Sequence, residues 1–370
     1  MQDNPNLNVF HIFPLDRFAS GATSIKRPRE ITHFSFDENH EYRQDDSSMR
    51  YYYPPPMGAN LSDGFETFKN LDDTKDDHLD ALLKAIIHHE KQTGKRCQTD
   101  IVSWRGMITK IMSAPYDKFD GFSMNATSFQ GTVFIEEDHD AKLARRQAQN
   151  QQQRQQRRGQ FDPDLMSYWG YKFEALALLP DPFDATSREF IENRENEVVS
   201  NYEQYCSVVQ TGIGSAGLII GGEVDGIWDC RPENPEDTIN WVELKTSQEI
   251  FSEADNVKFE RKLNKFWIQS FLLGVPKIIV GFRSKDGILQ RIQELNTQKI
   301  PGQVKRAGAS WDVLKSTIKG DGVWKIRRAE RSPVIEVTKV EATGTGAILS
   351  KEFLDWRNQL YAHEVAQMLA

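Results

Sequence analysis

Two short stretches constrain this chain more than any others: GGEVDGIWD at residues 221–229 and WVELK at residues 241–245. Each is an apolar, strand-like run that carries acids. Ile219, Ile220, Val224 and Ile227 surround Glu223 and Asp225, while Val242 and Leu244 surround Glu243 and Lys245. Read as two neighbouring strands, each pair is two residues apart and faces one side, ~7 Å apart along the strand and ~4.8 Å from the neighbouring strand. Three carboxylates and an ammonium would then converge in an interior position. Like charges that close raise each other's pKa, and keeping them ionised costs several kcal/mol. A hard divalent cation resolves the conflict, since Mg²⁺ and Mn²⁺ take carboxylate, carbonyl and water oxygens. One or two such ions would polarise a phosphate oxygen and lower the pKa of bound water, with Lys245 orienting that water or neutralising developing charge. The competing reading is an ion-paired strand pair on a solvated face, and the apolar flanks argue against it.

The rest of the chain reads as intermixed strands and helices without internal repeats, a mixed α+β pattern. Tyr51-Tyr52-Tyr53 before three prolines predicts an extended segment stopped by a rigid one. Leu79, Leu82, Leu83, Ile86 and Ile87 predict an amphipathic helix, with Gly94 as its C-terminal cap. Strands are expected at Asp100 to Trp104, Gly121 to Ala126, Gly131 to Glu136, Tyr205 to Thr211, Gly217 to Trp228, Asn240 to Thr246, Lys277 to Phe282 and Ile288 to Gln293. Helices are expected through Trp169 to Leu178 and from about Val257 to Leu273, the second stopped by Gly274 and Pro276. On the latter, Lys262, Lys265, Phe266 and Gln269 share a side and could meet phosphates and bases, or could simply face solvent over a core of Phe259, Phe266, Trp267 and Phe271. Residues 138–160 are rich in Gln and Arg and read as a flexible, solvated insertion in a single domain spanning residues 1–370. Arg145, Arg146, Arg157 and Arg158 leave an RNA tether or import signal as the alternative.

The net charge is −8, so diffuse affinity for nucleic acid is not expected and any RNA contact must be local. Cys97, Cys206 and Cys230 form no Cys-x-x-Cys pair, which indicates reduced thiols rather than a disulfide framework or zinc knuckle. No run of eighteen apolar residues exists, and Met1 to Asn8 lacks a signal-peptide pattern, so a chain that stays inside the cell and off membranes is expected.

A longer ordered set of motifs adds to this reading: RPREITHFSFD from Arg27, RYYYPPP from Arg50, HLDALL from His78, SWRG from Ser103, GYKFE ending at Glu174, CSVV from Cys206, GGEVD, VELKTS, and KFWIQSFLLGVPKIIVGFR from Lys265. Together they resemble the DXO family of RNA decapping and 5′-end quality-control enzymes along most of the chain, closest to its fungal nuclear branch. The resemblance implies a mixed αβ fold like the PD-(D/E)xK nucleases, with sheets flanked by helices. It also implies metal ligands at Glu174, Glu223, Asp225, Glu243 and the backbone carbonyl of Leu244, and a catalytic Lys245. Gln269 would contact substrate, as would Glu223, Lys245, Trp104, Arg105, Gly106, Cys206 and, as a looser match, Asp77. The family often has FSxD-x-x-Arg near the N-terminus, where this chain has His40.

What the resemblance implies for function is removal of pyrophosphate from 5′-triphosphate RNA and release of unmethylated, incompletely methylated and NAD caps. Products would carry the 5′-monophosphate that a nuclear 5′→3′ exoribonuclease degrades, and that enzyme would be a nuclear partner. Intrinsic 5′→3′ exonuclease activity is left open. Two alternatives differ in class: a protein whose main duty is to bind and stabilise that exoribonuclease, with weak catalysis, and a DNA nuclease of the same fold.

Overall fold

The computed structural model describes residues 7–13, 25–117, 119–156, 162–234, 237–303 and 317–369. Strands and helices intermix along the chain, and the strands of the described residues gather into two sheets. Among the described residues the larger sheet has the order β1 (Leu7–His11), β16 (Val334–Glu341), β15 (Val323–Arg328), β6 (Phe122–Phe129), β7 (Thr132–Glu137), β5 (Ile101–Trp104), β10 (Ala216–Glu223), β9 (Gln204–Ile213), β2 (Ile25–Phe36) and β3 (Tyr42–Arg43). The smaller has β14 (Leu289–Asn296), β13 (Lys277–Arg283), β12 (Trp241–Gln248), β11 (Gly226–Ile227), β4 (Tyr51–Tyr52) and β8 (Leu178–Leu179). The helices are α1 (Asp80–Thr93), α2 (Arg105–Ser113), α3 (His139–Gln156), α4 (Pro163–Ala177), α5 (Arg188–Asn193), α6 (Glu253–Leu272) and α7 (Lys351–Leu369). Pairings are mixed: β5 runs parallel to both β7 and β10, whereas β9 and β10 are antiparallel.

The apolar run Leu218-Ile219-Ile220 shows why β10 lies in the middle. Leu218 and Ile220 enter the core shared with Ile278, Val280 and Phe282 of β13, together with residues of α2 and α6. Ile219 faces the other way, into the core that α1 and α7 build with Val102, Phe134 and Phe353. A strand buried on both faces reads as a continuous apolar run because neither face can be polar. A third core lies beyond the smaller sheet, where Trp169, Phe173 and Leu176 of α4 pack on Val242, Leu244 and Ile279. Burying each such large side chain contributes roughly 1.5–3 kcal/mol.

Most expected elements are present. Helix α1 buries Leu82, Leu83, Ile86 and Ile87 and ends on Gly94 at φ 66°, the left-handed position that glycine occupies without strain. Residues Phe259 and Trp267 of α6 are buried, which fits the core side of the two readings for that helix. The strand expected at Gly217 to Trp228 is a correction: it breaks after Glu223, and the chain resumes as β11 in the other sheet. Within the Gln/Arg-rich stretch His139–Gln156 is helical, and Lys142 and Arg146 pair with Asp73. Arg157 and Arg158 lie outside the described residues. The cysteines are free, as expected, and no helix among the described residues is long and apolar enough to cross a membrane.

Helix α4 can approach the smaller sheet only because position 281 lacks a side chain. A Cβ on Gly281 would lie 2.5 Å from the Phe173 ring. Gly281→Ala should therefore push α4 outward and cost about 1–3 kcal/mol, as overpacked cores do, which urea unfolding would measure. Because α4 carries Glu174, divalent-ion affinity should fall in the same variant.

Candidate metal centre

The acids assemble where the chain passes from one sheet to the other. Glu223 is the last residue of β10, Val224 and Asp225 form the crossing, and β11 begins at Gly226. This corrects the same-strand geometry expected for Glu223 and Asp225, because the crossing, not a shared sheet face, brings them together. Glu243 and Lys245 do share one face of β12, which pairs with β11. Glu174 arrives from α4, packed against β12.

Glu243 is fully buried between two cations. Arg105 Nη1 donates to Oε2 at 2.9 Å, and Lys245 Nζ lies 2.7 Å from Oε1. That second contact is a charge pair without hydrogen-bond alignment, so Oε1 keeps no directed donor. The same ammonium donates to the Leu244 carbonyl at 3.0 Å and stands 3.8 Å from Asp225 Oδ2. Asp225 Oδ2 in turn accepts from the Leu244 amide at 2.5 Å.

Arg105 reaches this position because β5 runs beside β10, with Trp104 paired to Gly221. A Cβ on Gly222 would come within 3.0 Å of Arg105 Cβ and of Leu273. The glycine in GGEVD is thus the space that Arg105 crosses.

Electrostatics follow from the crowding. Burial and the neighbouring Asp225 push Glu223 up to about 7, although its side chain is open to solvent at the rim. Burial, partly countered by Lys245, raises Asp225 to about 6. Glu174 goes well above the usual carboxylate range, again through burial and then Asp225. Burial would also raise Glu243, but Arg105 and Lys245 outweigh it and hold it low. Lys245 is raised, because Glu243, Asp225 and Glu174 overcome the effect of its burial.

The donor set fits a divalent cation. Among the described residues no three His, Cys, Asp or Glu side chains stand ready around one point. Instead, the Lys245 ammonium occupies a cradle made of a Glu243 oxygen, the Leu244 carbonyl and, further off, Asp225. These are hard oxygen donors of the kind Mg²⁺ and Mn²⁺ select, already gathered around positive charge.

The other expected site residues are placed as follows. Cys206 is buried beside Glu223, its register partner across β9 and β10, and burial raises its thiol well above the ordinary range. Trp104 donates from Nε1 to the His78 carbonyl at 3.1 Å. Gly106 is exposed on the first turn of α2 with open space above it. Gln269 is half-buried on α6, which packs against α2. Asp77 is exposed in the approach to α1, where its carbonyl accepts from the Asp80 amide. His40 closes a turn at φ 60°, stacks on Phe36 at 4.1 Å and meets the Tyr202 carbonyl at 2.8 Å. One neighbour of the acids was missed: Tyr171, whose hydroxyl feels both Glu174 and Glu223. Its spacing of three before Glu174 on α4 was the available signal.

Residues 26–354 match the family model described as RAI1-like PD-(D/E)XK nuclease. The chain belongs to that family. Among its relatives, a decapping nuclease RAI1 from Aspergillus fumigatus is 55% identical, spanning 95% of this chain and 99% of its own. A solved Candida albicans Rai1 in complex with pU5 and Mn²⁺ superposes at TM-score 0.86 with 33% identity, over 95% of this chain and 100% of that one. Scheffersomyces stipitis Rai1 in complex with (3′-NADP)⁺ and calcium ion gives 0.84 with 31% identity, over 92% and 97% of the two chains. The mixed αβ nuclease fold and the DXO-type resemblance expected from the motifs are therefore those of the RAI1-like family, and the two solved relatives just named are complexes with Mn²⁺ and with a calcium ion.

Metal affinity in this RAI1-like chain should depend on pH. Glu223, Asp225 and Glu174 have raised pKa values, so without metal the folded state holds protons that the unfolded chain has released. Their contribution to apo stability therefore falls as pH rises from the usual carboxylate range through about 7. Glu243 is depressed and works oppositely: its stabilisation is present at neutral pH and lost as pH falls through its folded pKa. Bound metal displaces the protons, so affinity should rise by up to about tenfold per pH unit per displaced proton. The thermal upshift given by Mn²⁺ should accordingly be larger at about pH 8 than at about pH 5.5. Equal upshifts would contradict the assignment.

Proposed function

We propose that this chain is a divalent-metal-dependent hydrolase of RNA 5′ ends that removes pyrophosphate from 5′-triphosphate RNA and releases unmethylated, incompletely methylated and NAD caps, leaving 5′-monophosphate RNA. One observation carries the reading: an oxygen cradle filled by the Lys245 ammonium, with Glu223 open at its rim, where two sheets meet. The names of its relatives as decapping nucleases and the pU5–Mn²⁺ complex of the Candida albicans protein support it.

Glu174, Glu223, Asp225 and Glu243, with the Leu244 carbonyl, would hold the metal. When bound, Mg²⁺ or Mn²⁺ supplies Lewis-acid polarisation of a phosphate oxygen and a lowered pKa for bound water. Glu243 keeps Arg105 and Lys245 extended and charged. Their positive charge can then meet the negative charge that grows on phosphate oxygens, Arg105 from the position it holds against Glu243 and Lys245 once the metal has taken its place in the cradle. Trp104, Gly106, Cys206 and Gln269 are proposed to line the approach for the RNA end, with Asp77 at its margin.

Incubating 5′-triphosphate RNA and unmethylated-cap RNA with the wild type and metal should release 5′-monophosphate RNA, and EDTA should stop it. Glu223→Gln and Lys245→Met should each lower kcat/KM by about 10²–10³-fold, the size seen when one preorganised electrostatic group is removed. DNA of the same sequence should remain intact, since RNA selection uses the 2′-hydroxyls. Product in EDTA, or undiminished rates in both variants, would overturn the assignment.

We propose further that the protein works in the nucleus and hands its product to the nuclear 5′→3′ exoribonuclease, which it also binds and stabilises. The resemblance to the fungal nuclear branch supports this. Glu223→Gln should still raise the exoribonuclease's thermal stability in a mixture; loss of that effect together with hydrolysis would remove the separate binding role.

A further inference from the structure

We propose that the body of a bound RNA, beyond its 5′ end, runs along a groove that leaves the metal centre between α2 and α6, passes α3 and ends on the exposed Phe119 ring. This rests on the hydrolase reading and adds the path of the substrate. The two helices that frame the centre also frame the groove. Helix α2 begins with Arg105 at the acids, and its later residues Lys110 and Ser113, with Ala114 just beyond its end, line a cleft of about 320 Å³. Lys265, one turn before Gln269 on α6, lines the same cleft. From Arg105 to Lys110 the helix rises only ~7.5 Å, so cleft and centre adjoin.

The charge lining this cleft is opposite in sign to that of the chain as a whole. Six cations and four acids line it, in a chain whose net charge is −8. Lys110, Lys142 and Arg146 are paired with Glu137 and Asp73. Arg145 and Lys265 have no ion-pair partner within 4 Å among the described residues, and both act on Asp120 from a distance. The lining as a whole holds two more cations than acids, the kind of local RNA contact that an acidic chain can afford.

The groove continues into a second cleft of about 640 Å³ that shares Arg328 with the first and is lined by Phe13, Phe119, Arg331 and Pro333. Phe119 is 63% exposed, and the Arg331 guanidinium lies 5.8 Å from its ring centroid. Buried Arg328 lies beside it, donating to the Asp117 carbonyl at 2.6 Å and the Asp120 carbonyl at 3.0 Å. An exposed aromatic ring beside a cationic track is how single-stranded nucleic acid is bound without sequence preference: phosphates follow the charge and bases stack on the ring. An acidic peptide would use the cations but leave Phe119 unexplained.

The test is fluorescence anisotropy with 3′-labelled RNAs of three and roughly twenty nucleotides, in EDTA so that nothing is hydrolysed, for wild type, Phe119→Ala and Arg145→Ala. Each variant should weaken the longer RNA at least about fivefold, as loss of one stacking contact does, and leave the trimer unchanged. Arg145→Ala should also make the salt slope shallower by about 0.7, the value for one phosphate contact on a single strand. Unchanged affinity for the longer RNA in either variant, or equal weakening of long and short RNAs, overturns the groove. Hydrolysis of a 5′-triphosphate trimer is measured alongside. If the wild type does not cleave it, the hydrolase reading fails, while the long-RNA affinities still decide the groove. If both variants cleave it like wild type, the metal centre is intact and any loss belongs to the groove.

Discussion

A fully buried Glu243 held between Arg105 and Lys245 is the interaction on which the rest of the architecture turns. A carboxylate with no access to water keeps its charge only if cations stand against it, and removing one partner from such a buried arrangement costs several kcal/mol. Satisfying that requirement dictates local sequence on three elements. Strand β5 must deliver Arg105 beside β10, Gly222 must leave room for it, and β12 must place Lys245 two residues beyond Glu243.

The same arrangement sets the charge of the proposed centre. Four carboxylates against two cations leave two negative charges when all are ionised, the charge that one divalent ion neutralises. Before an ion binds, protons make up the difference, which is why Glu223 and Asp225 sit near 7 and 6 while Glu243 stays low. Pairs of acids driven apart in this way mark functional sites more often than structural ones. The proposed RNA groove extends the logic outward, because it begins on the helix that Arg105 opens and carries positive charge away from a strongly negative pocket.

Much of this was legible in the sequence, for identifiable reasons. Glu243 and Lys245 could be paired because alternation along a strand is local, and the apolar flanks of VELK declared β12 interior. The neighbourhood of Glu223 and Asp225 was also legible, but not its cause, since a chain that leaves one sheet and enters another within two residues keeps the apolar character of both. Helix α2 escaped notice because its Ile and Met residues follow directly on the β5 run, so strand and helix merge into one apolar stretch. Helix α3 escaped because its polarity hid the ties that Lys142 and Arg146 make to Asp73. Glu174 needed the family motif, since a single acid on an aromatic helix has no spacing signal of its own, and Tyr171 one turn earlier was overlooked with it.

The passage of the chain at Val224-Asp225 makes the pocket a shared property of the two sheets. One acid ends the larger sheet, another stands on the bridge, and a third belongs to the smaller sheet. Any shear between the sheets must change the separations among all of them at once. Such a molecule has little room for a loosened but still competent state: the spacing of its acids is a gauge of whether the two layers are correctly docked.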